Sequence, residues 1–139
     1  MVYDRWYNRS MKQLSEAELK KRLTPEQYRV LREKETEAPF SGDLLENTDD
    51  GTYHCGACGA LLFESNAKFP AHCGWPSFYE PINKNAVALH EDRSHGMRRV
   101  EVTCGNCGSH LGHVFNDAPE QPTGLRFCIN SVAMEFEKT

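Results

Sequence analysis

A short cysteine-containing unit occurs twice in the sequence. Residues 53–59 read YHCGACG and residues 102–108 read VTCGNCG, so each copy is a C-x-x-C pair followed by glycine. Two cysteines three positions apart on a tight turn can bind one ion, and the glycine lets the chain leave in a left-handed conformation. Two such pairs supply the four thiolates of a closed, tetrahedral site. We therefore predict one structural Zn²⁺, bound by Cys55, Cys58, Cys104 and Cys107.

Disulfide bonding and redox chemistry are the alternative interpretations of these pairs. Residues 1–11 are polar and charged and lack the apolar segment of an export signal, which favours a cytoplasmic protein with reduced thiols. His54 and His110 lie near the pairs and are weaker candidate ligands, because four cysteines already complete the shell. The chain has 139 residues, of which 39% are hydrophobic, so it fits one domain whose modest core a metal would help to stabilise.

The charge and hydropathy patterns exclude two classes of partner. The net charge is −4, so no global basic field draws the chain to nucleic acid or to an anionic membrane surface. No run of about 18 apolar residues is present, so we expect no membrane span.

Residues 12–37 contain the signals of two short helices. Ser15 and Glu18 form a capping-box pair, and residues 24–27 (TPEQ) place threonine at the N-cap, proline at N1 and glutamine at N3. We interpret residues 1–38 as an extension and helical arm that packs against the main domain rather than taking part in catalysis.

The pattern changes after residue 38 to short runs with a period of two, separated by turn clusters at residues 47–51, 81–85 and 117–119. The clearest strands are predicted at residues 98–103 and 126–136. We therefore predict a mainly β fold, in which residues 39–139 form a zinc-stapled domain of antiparallel sheets behind a short helical N-terminal arm.

Cys128 belongs to neither C-x-x-C pair. On its strand, Arg126, Cys128 and Asn130 share one face, whereas Phe127 and Ile129 lie on the other. The apolar face anchors the strand, and a guanidinium near the thiol favours the nucleophilic thiolate. A buried structural cysteine is the alternative on this strand alone.

Cys73 is the other remaining cysteine and lies in residues 71–78 (AHCGWPSF). Glycine and proline predict a loop, and a thiol on a loop can approach a second thiol as a resolving cysteine must. Trp75 offers a flat apolar wall, although simple packing is the more common role of a tryptophan. His110 and His113 follow the second cysteine pair and are candidate proton donors, with surface histidines as the alternative.

Taken together, segments between Tyr53 and Ser131 closely resemble the methionine sulfoxide reductase B family. The matching motifs are CGWPSF at 73–78, SHGM at 94–97, CGNC at 104–107, HLGHVF at 110–115 and RFCINS at 126–131. Each motif is weak alone, but the full set in this order is highly specific.

The resemblance implies an enzyme that reduces methionine-R-sulfoxide in oxidised proteins and peptides. Cys128 would attack the sulfoxide sulfur and become a sulfenic acid, and Cys73 would then form a disulfide that thioredoxin reduces. The family's methyl-binding aromatic residue corresponds to Trp75. Its acid histidines correspond to His110 and His113, and its supporting polar groups to Asp117, Arg126 and Asn130. We expect a monomer that repairs oxidative damage.

Several positions depart from the family pattern. Ala71-His72 stand where Ser-Gly is common, Ala118 stands where glycine is usual and is followed by a loop one residue longer, and Phe127 replaces a common tyrosine. The competing hypothesis is a non-catalytic zinc-binding β module that recognises peptide or nucleic acid, which the cysteine pairs alone would support equally. Two further cysteines in dissimilar settings, the paired histidines and the absence of a basic surface favour the enzyme.

Overall fold

The computed structural model describes residues 15–139. Helix α1 spans Glu16–Arg22 and helix α2 spans Pro25–Leu31, each closed by the capping box predicted for it, with Ser15 and Thr24 as the N-caps. The predictions for residues 1–11, and the start of the helical arm at residues 12–14, lie outside the described residues.

The rest of the described chain is mainly β structure, as predicted. The strands form two antiparallel sheets, ordered β2-β1-β9 and β3-β4-β8-β7-β6-β5. Their bounds are β1 Gly51–Cys55, β2 Leu61–Glu64, β3 Lys68–Phe69, β4 Ser77–Phe78, β5 Val87–Asp92, β6 Arg99–Cys104, β7 His110–Phe115, β8 Arg126–Ile129 and β9 Met134–Lys138.

The prediction of one continuous strand over residues 126–136 is wrong, because a turn interrupts the strand in the middle. Strand β8 ends at Ile129, a 3₁₀ turn spans Ser131–Ala133, and β9 continues in the other sheet. The turn is held by its own hydrogen bond from Ala133 N to Asn130 O (3.1 Å) and by Gly56 N, which donates to Ala133 O (2.8 Å). The first cysteine pair thus anchors the crossing between the sheets.

An aromatic cluster fills the space between the two sheets. Phe63 stacks on Phe78 with ring centroids 4.3 Å apart, and Tyr53 meets Phe78 edge-on at 5.0 Å. All three side chains are fully buried. Their packing fixes β4, and through it the strand β8 that carries Cys128.

The two helices near the N-terminus pack on the β domain. Leu19 and Leu31 are buried in the common core. Arg22 donates a hydrogen bond to the carbonyl of Ala57 in the first cysteine pair. Arg32 donates hydrogen bonds to Cys107 O (3.3 Å) and to Ser109 Oγ (2.9 Å) at the second cysteine pair. Within residues 15–139, no helix is both long and apolar enough to cross a bilayer.

Candidate active site

The four cysteines of the repeated unit converge on one point. All four Sγ atoms lie within 4.8 Å of one another. The Sγ atoms of Cys55 and Cys107 are 3.7 Å apart, and those of Cys58 and Cys104 are 3.6 Å apart. An ion with four tetrahedral thiolates at about 2.3 Å requires sulfur separations of about 3.8 Å. The arrangement therefore fits a four-coordinate metal site with no position left for a substrate.

Among the described residues, this cluster consists of the four cysteines and includes neither of the two neighbouring histidines. The ring of His54 hydrogen-bonds to Gly59 O (3.0 Å) and Thr52 Oγ1 (2.9 Å). His110 pairs instead with Glu101, with 2.8 Å between Nδ1 and Oε2. Both rings are thus oriented by groups other than the cysteine cluster.

The two remaining cysteines are brought together. Strand β4 pairs with β8 so that Ser77 lies opposite Cys128, and the loop preceding β4 places Cys73 beside them. The Sγ atoms of Cys73 and Cys128 are 3.4 Å apart, and Ser77 Oγ lies 3.3 Å from the sulfur of Cys73. Both cysteines are partly exposed, which leaves them open to a reactant.

The two thiols alter each other's ionisation. The hydrogen bond from Cys128 lowers the pKa of Cys73 to about 5, with further help from Ser77 and Arg126. The same contact, together with burial, raises the pKa of Cys128. One negative charge is therefore shared by two adjacent sulfurs, and transfer of one proton between them moves the thiolate to Cys128.

Arg126 supplies the cation near this pair. Its guanidinium forms two hydrogen bonds of 3.0 Å with the carboxylate of Asp117 and lies 4.5 Å from the ring centroid of Phe115. These contacts hold the charge in place, and its field favours the anionic form of both Cys73 and Cys128. Asp117 itself is exposed, so it acts on the site through Arg126.

A small pocket of about 80 Å³ opens beside Cys128. Trp75, His113 and Asn130 line it, as do four residues that the sequence analysis did not select: Thr36, Arg99, Gly112 and Phe115. His110 does not line the pocket, although its ring centroid lies 5.5 Å from that of His113. Burial lowers the pKa of His110.

Trp75 and Asn130 are held by the end of the N-terminal arm. The indole Nε1–H of Trp75 donates to Glu37 O (3.1 Å), and Glu37 N donates to Asn130 Oδ1 (3.0 Å). Asn130 Nδ2 also donates to Leu111 O (2.9 Å), so both ends of its amide are fixed. The arm therefore reaches the pocket as well as the core, with Thr36 in its lining.

The pocket residues that were missed had only weak local signals. Gly112 and Phe115 lie inside the HLGHVF motif. A Cβ at Gly112 would come within 2.0 Å of Cys128 O, so only glycine lets β7 and β8 approach this closely. Arg99 and Thr36 lie in charged, polar stretches that resemble solvent-exposed surface.

The departures from the family pattern at residues 72 and 118 have different structural consequences. His72 has φ +58°, in the left-handed region that favours glycine. Ala118 is buried and is not among the described residues with positive φ, so alanine fits there without backbone strain.

The fold and site define a mainly β domain with a four-cysteine cluster suited to a metal ion and with two adjacent thiols at a small pocket. The chain matches the SelR domain over residues 23–138. It is similar to proteins named peptide methionine sulfoxide reductase MsrB. The one from Leptospira interrogans is 56% identical over 124 residues, which cover 89% of this chain and 94% of the relative. Those from Chromohalobacter salexigens and Methanosarcina mazei are each 59% identical over 124 residues, covering 93% and 88% of the relatives. The chain belongs to the SelR family, which is the methionine sulfoxide reductase B family.

One solved structure resembles the β domain at low sequence identity. The crystal structure of the Mis18 "Yippee-like" domain aligns with a TM-score of 0.52 and 16% identity, covering 65% of this chain and 97% of that one. This likeness concerns the fold alone.

Proposed function

We propose that this chain reduces methionine-R-sulfoxide in peptides and proteins, with Cys128 as the nucleophile and Cys73 as the resolving thiol. The observation that carries the proposal is the 3.4 Å contact between these two sulfurs at the mouth of a pocket that contains Trp75 and His113. Membership of the methionine sulfoxide reductase B family supplies the reaction class.

In the first step, the Cys128 thiolate attacks the sulfoxide sulfur. A sulfoxide is a poor electrophile, so protonation of its oxygen lowers the barrier, typically by a factor of about 10²–10⁴. The sulfur–oxygen bond of the substrate breaks and the oxygen ends on Cys128 as a sulfenic acid. The substrate sulfur gains two electrons and leaves as methionine, and Cys128 loses two.

In the second step, the Cys73 thiolate attacks the sulfur of the Cys128 sulfenic acid. The S–O bond breaks, the hydroxyl leaves as water with one added proton, and a disulfide forms. The sulfurs must approach by only about 1.4 Å to reach a disulfide distance of about 2.05 Å. A dithiol such as thioredoxin then supplies the two electrons and two protons that restore the thiols.

The metal site has a structural role in this scheme. Cys55, Cys58, Cys104 and Cys107 would hold Zn²⁺, the ion that prefers four tetrahedral thiolates. When bound, it supplies a staple between the ends of β1 and β6 and takes no part in proton or electron transfer. It also fixes the start of β7, which carries His113.

The pocket accounts for the preference for one epimer. Sulfoxide sulfur is pyramidal, so its methyl group, oxygen and side chain occupy three different positions. With the methyl group against Trp75 and the oxygen toward His113, only one epimer presents its sulfur to Cys128. The family assigns that epimer as R. We also retain the sequence-based expectations of a monomeric, cytoplasmic enzyme that repairs oxidised proteins.

The proposal is tested with racemic methionine sulfoxide in a short peptide, with thioredoxin, thioredoxin reductase and NADPH as the reductant. We expect the R epimer to be consumed almost completely and the S epimer to remain, as measured by chiral chromatography. Cys128→Ser should abolish consumption, and Cys73→Ser should release one methionine per chain and then stop. Equal loss of both epimers would contradict the pocket geometry, and loss of S alone would contradict the substrate assignment.

A further inference from the structure

Asp92 is a buried carboxylate that the proposed reaction does not use. It is the last residue of β5 and is only 3% exposed. Its Oδ1 accepts a hydrogen bond from Ser94 N (3.0 Å), in the turn formed by the SHGM motif. Lys34 and Arg99 approach the same carboxylate to 3.5 Å. These donors hold Asp92 as an anion in a fixed orientation.

The shortest contact of Asp92 is with His113. Oδ2 lies 2.7 Å from Nε2 of the imidazole, and this hydrogen bond is the main cause of the lowered pKa of Asp92. A carboxylate anion accepts hydrogen bonds only, so Nε2 carries the proton. Within residues 15–139 no hydrogen bond to Nδ1 of His113 is formed, and the ring lines the pocket beside Cys128.

We propose that Asp92 is a positioning residue for His113, which it holds with Nδ1 available to the sulfoxide oxygen. The acid step uses the doubly protonated ring, because only this form has a proton on Nδ1 to donate. This proposal rests on the proposed function, because it names the ring nitrogen through which His113 would protonate the sulfoxide oxygen.

The other charged groups around His113 do not provide this hydrogen bond. Glu101, opposite His113 on β6, is paired with His110 (2.8 Å) and Lys34 (3.3 Å). Arg99 of β6 lines the pocket, Cys128 lies opposite on β8, and Arg126 is engaged with Asp117. Among the described residues, Asp92 alone forms a hydrogen bond with the ring of His113.

Asp92→Asn is the direct test, with Glu91→Gln as the matched control. Glu91 is the neighbouring acid on the same strand, but among residues 15–139 its ion pairs are with the exposed Arg93 and Arg98. The assay is single-turnover release of methionine from a sulfoxide peptide between pH 5 and pH 9. We expect Asp92→Asn to slow release about 10–100-fold at pH 7, within the range attributed to general acid catalysis.

The pH profile separates positioning from a structural role. Without the carboxylate Nε2 loses its hydrogen-bond acceptor and the ring loses the adjacent anion, so the pH dependence of the rate should change in Asp92→Asn and stay the same in Glu91→Gln. In a His113→Ala background, Asp92→Asn should have no further effect on the rate. A uniform loss at every pH, or additive losses in the double variant, would overturn the proposal.

A second measurement uses the wild-type protein and does not depend on an activity assay. Nitrogen-15 NMR of the wild-type imidazoles distinguishes the two ring nitrogens and locates the proton. We expect the neutral ring of His113 to carry its proton on Nε2. A proton on Nδ1 would overturn the positioning role. An enzyme that fails to reduce any sulfoxide while its His113 ring carries the Nε2 proton would instead contradict the proposed function.

Discussion

The Sγ atoms of Cys73 and Cys128 lie 3.4 Å apart, although one thiol comes from a loop and the other from a central strand. At this distance the Cys128 thiol stabilises an anion on Cys73 through a hydrogen bond, which in turn raises the pKa of Cys128, and Arg126 adds a positive field that favours the anionic form of both. In the proposed reaction, this contact would prepare the pair both for nucleophilic attack and for disulfide formation.

This contact predicts an unusually acidic first ionisation of the pair. Only the thiolate reacts with iodoacetamide, so the alkylation rate should rise with pH and reach half its plateau near pH 5, because the pKa of Cys73 is lowered to about 5. The measurement is alkylation of the pair as a function of pH, followed by peptide mass spectrometry.

Arg126→Gln provides the comparison for this titration. It removes the cation, so the midpoint should move upward, whereas Arg126→Lys should move it less because the charge is kept. A wild-type midpoint near the ordinary thiol value of 9 would contradict the shared-anion description.

Loss of a metal ligand should lower the stability of the fold and not only slow turnover. Metal binding is coupled to folding, so Cys58→Ser should lower Tm by at least about 10 °C, with partial loss of β-sheet circular dichroism. Cys128→Ser is the matched control and should keep Tm within about 2 °C, because its thiol lies outside the cluster. Equal Tm values for the two variants would argue against a structural metal.

The hydrogen bond between Trp75 and Glu37 O predicts graded losses on substitution. Trp75→Phe keeps an aromatic wall but removes the Nε1–H donor, a loss of about 0.5–1.5 kcal/mol for one hydrogen bond. We therefore expect kcat/KM to fall about 3–10-fold, mostly through KM, with a larger fall for Trp75→Ala. Steady-state kinetics on a sulfoxide peptide measure both; unchanged kcat/KM in Trp75→Phe would mean that this bond does not position the indole.

The left-handed backbone conformation at residue 72 predicts that the protein is more stable with glycine than with alanine at this position. Both substitutions remove the imidazole, but only glycine lacks the Cβ that penalises φ +58°. His72→Gly should be more stable than His72→Ala by about 1 kcal/mol. Urea denaturation measures the difference, and a more stable His72→Ala would show that the strain is absent in solution.

The features that the sequence predicted well are those governed by local rules. The capping boxes at Ser15 and Thr24 follow from side chains three residues apart, and the cysteine cluster follows from its spacing. The break after Ile129 was missed because the alternating pattern continues through Phe136, and only the docking of the turn on Gly56 interrupts the strand.

The least predictable part of the site depends on tertiary contacts. Asp92 lies in a charged stretch that reads as a solvent-exposed turn, yet the β5–β6 hairpin buries it against His113. Thr36 and Glu37 read as the end of a packing arm, yet Thr36 lines the pocket and Glu37 forms hydrogen bonds with Trp75 and Asn130. No local period or motif encodes such contacts.

The central claim is that reduction of one sulfoxide converts one particular pair of thiols to a disulfide. The most direct measurement is peptide mapping by mass spectrometry of the fully reduced, zinc-loaded enzyme after one equivalent of peptide methionine-R-sulfoxide, with no other reductant present. The account predicts one methionine released per chain, two thiols lost and a disulfide between Cys73 and Cys128, with the four metal-binding cysteines unchanged. Methionine release with Cys128 unmodified, or a disulfide involving any of those four cysteines, would contradict it.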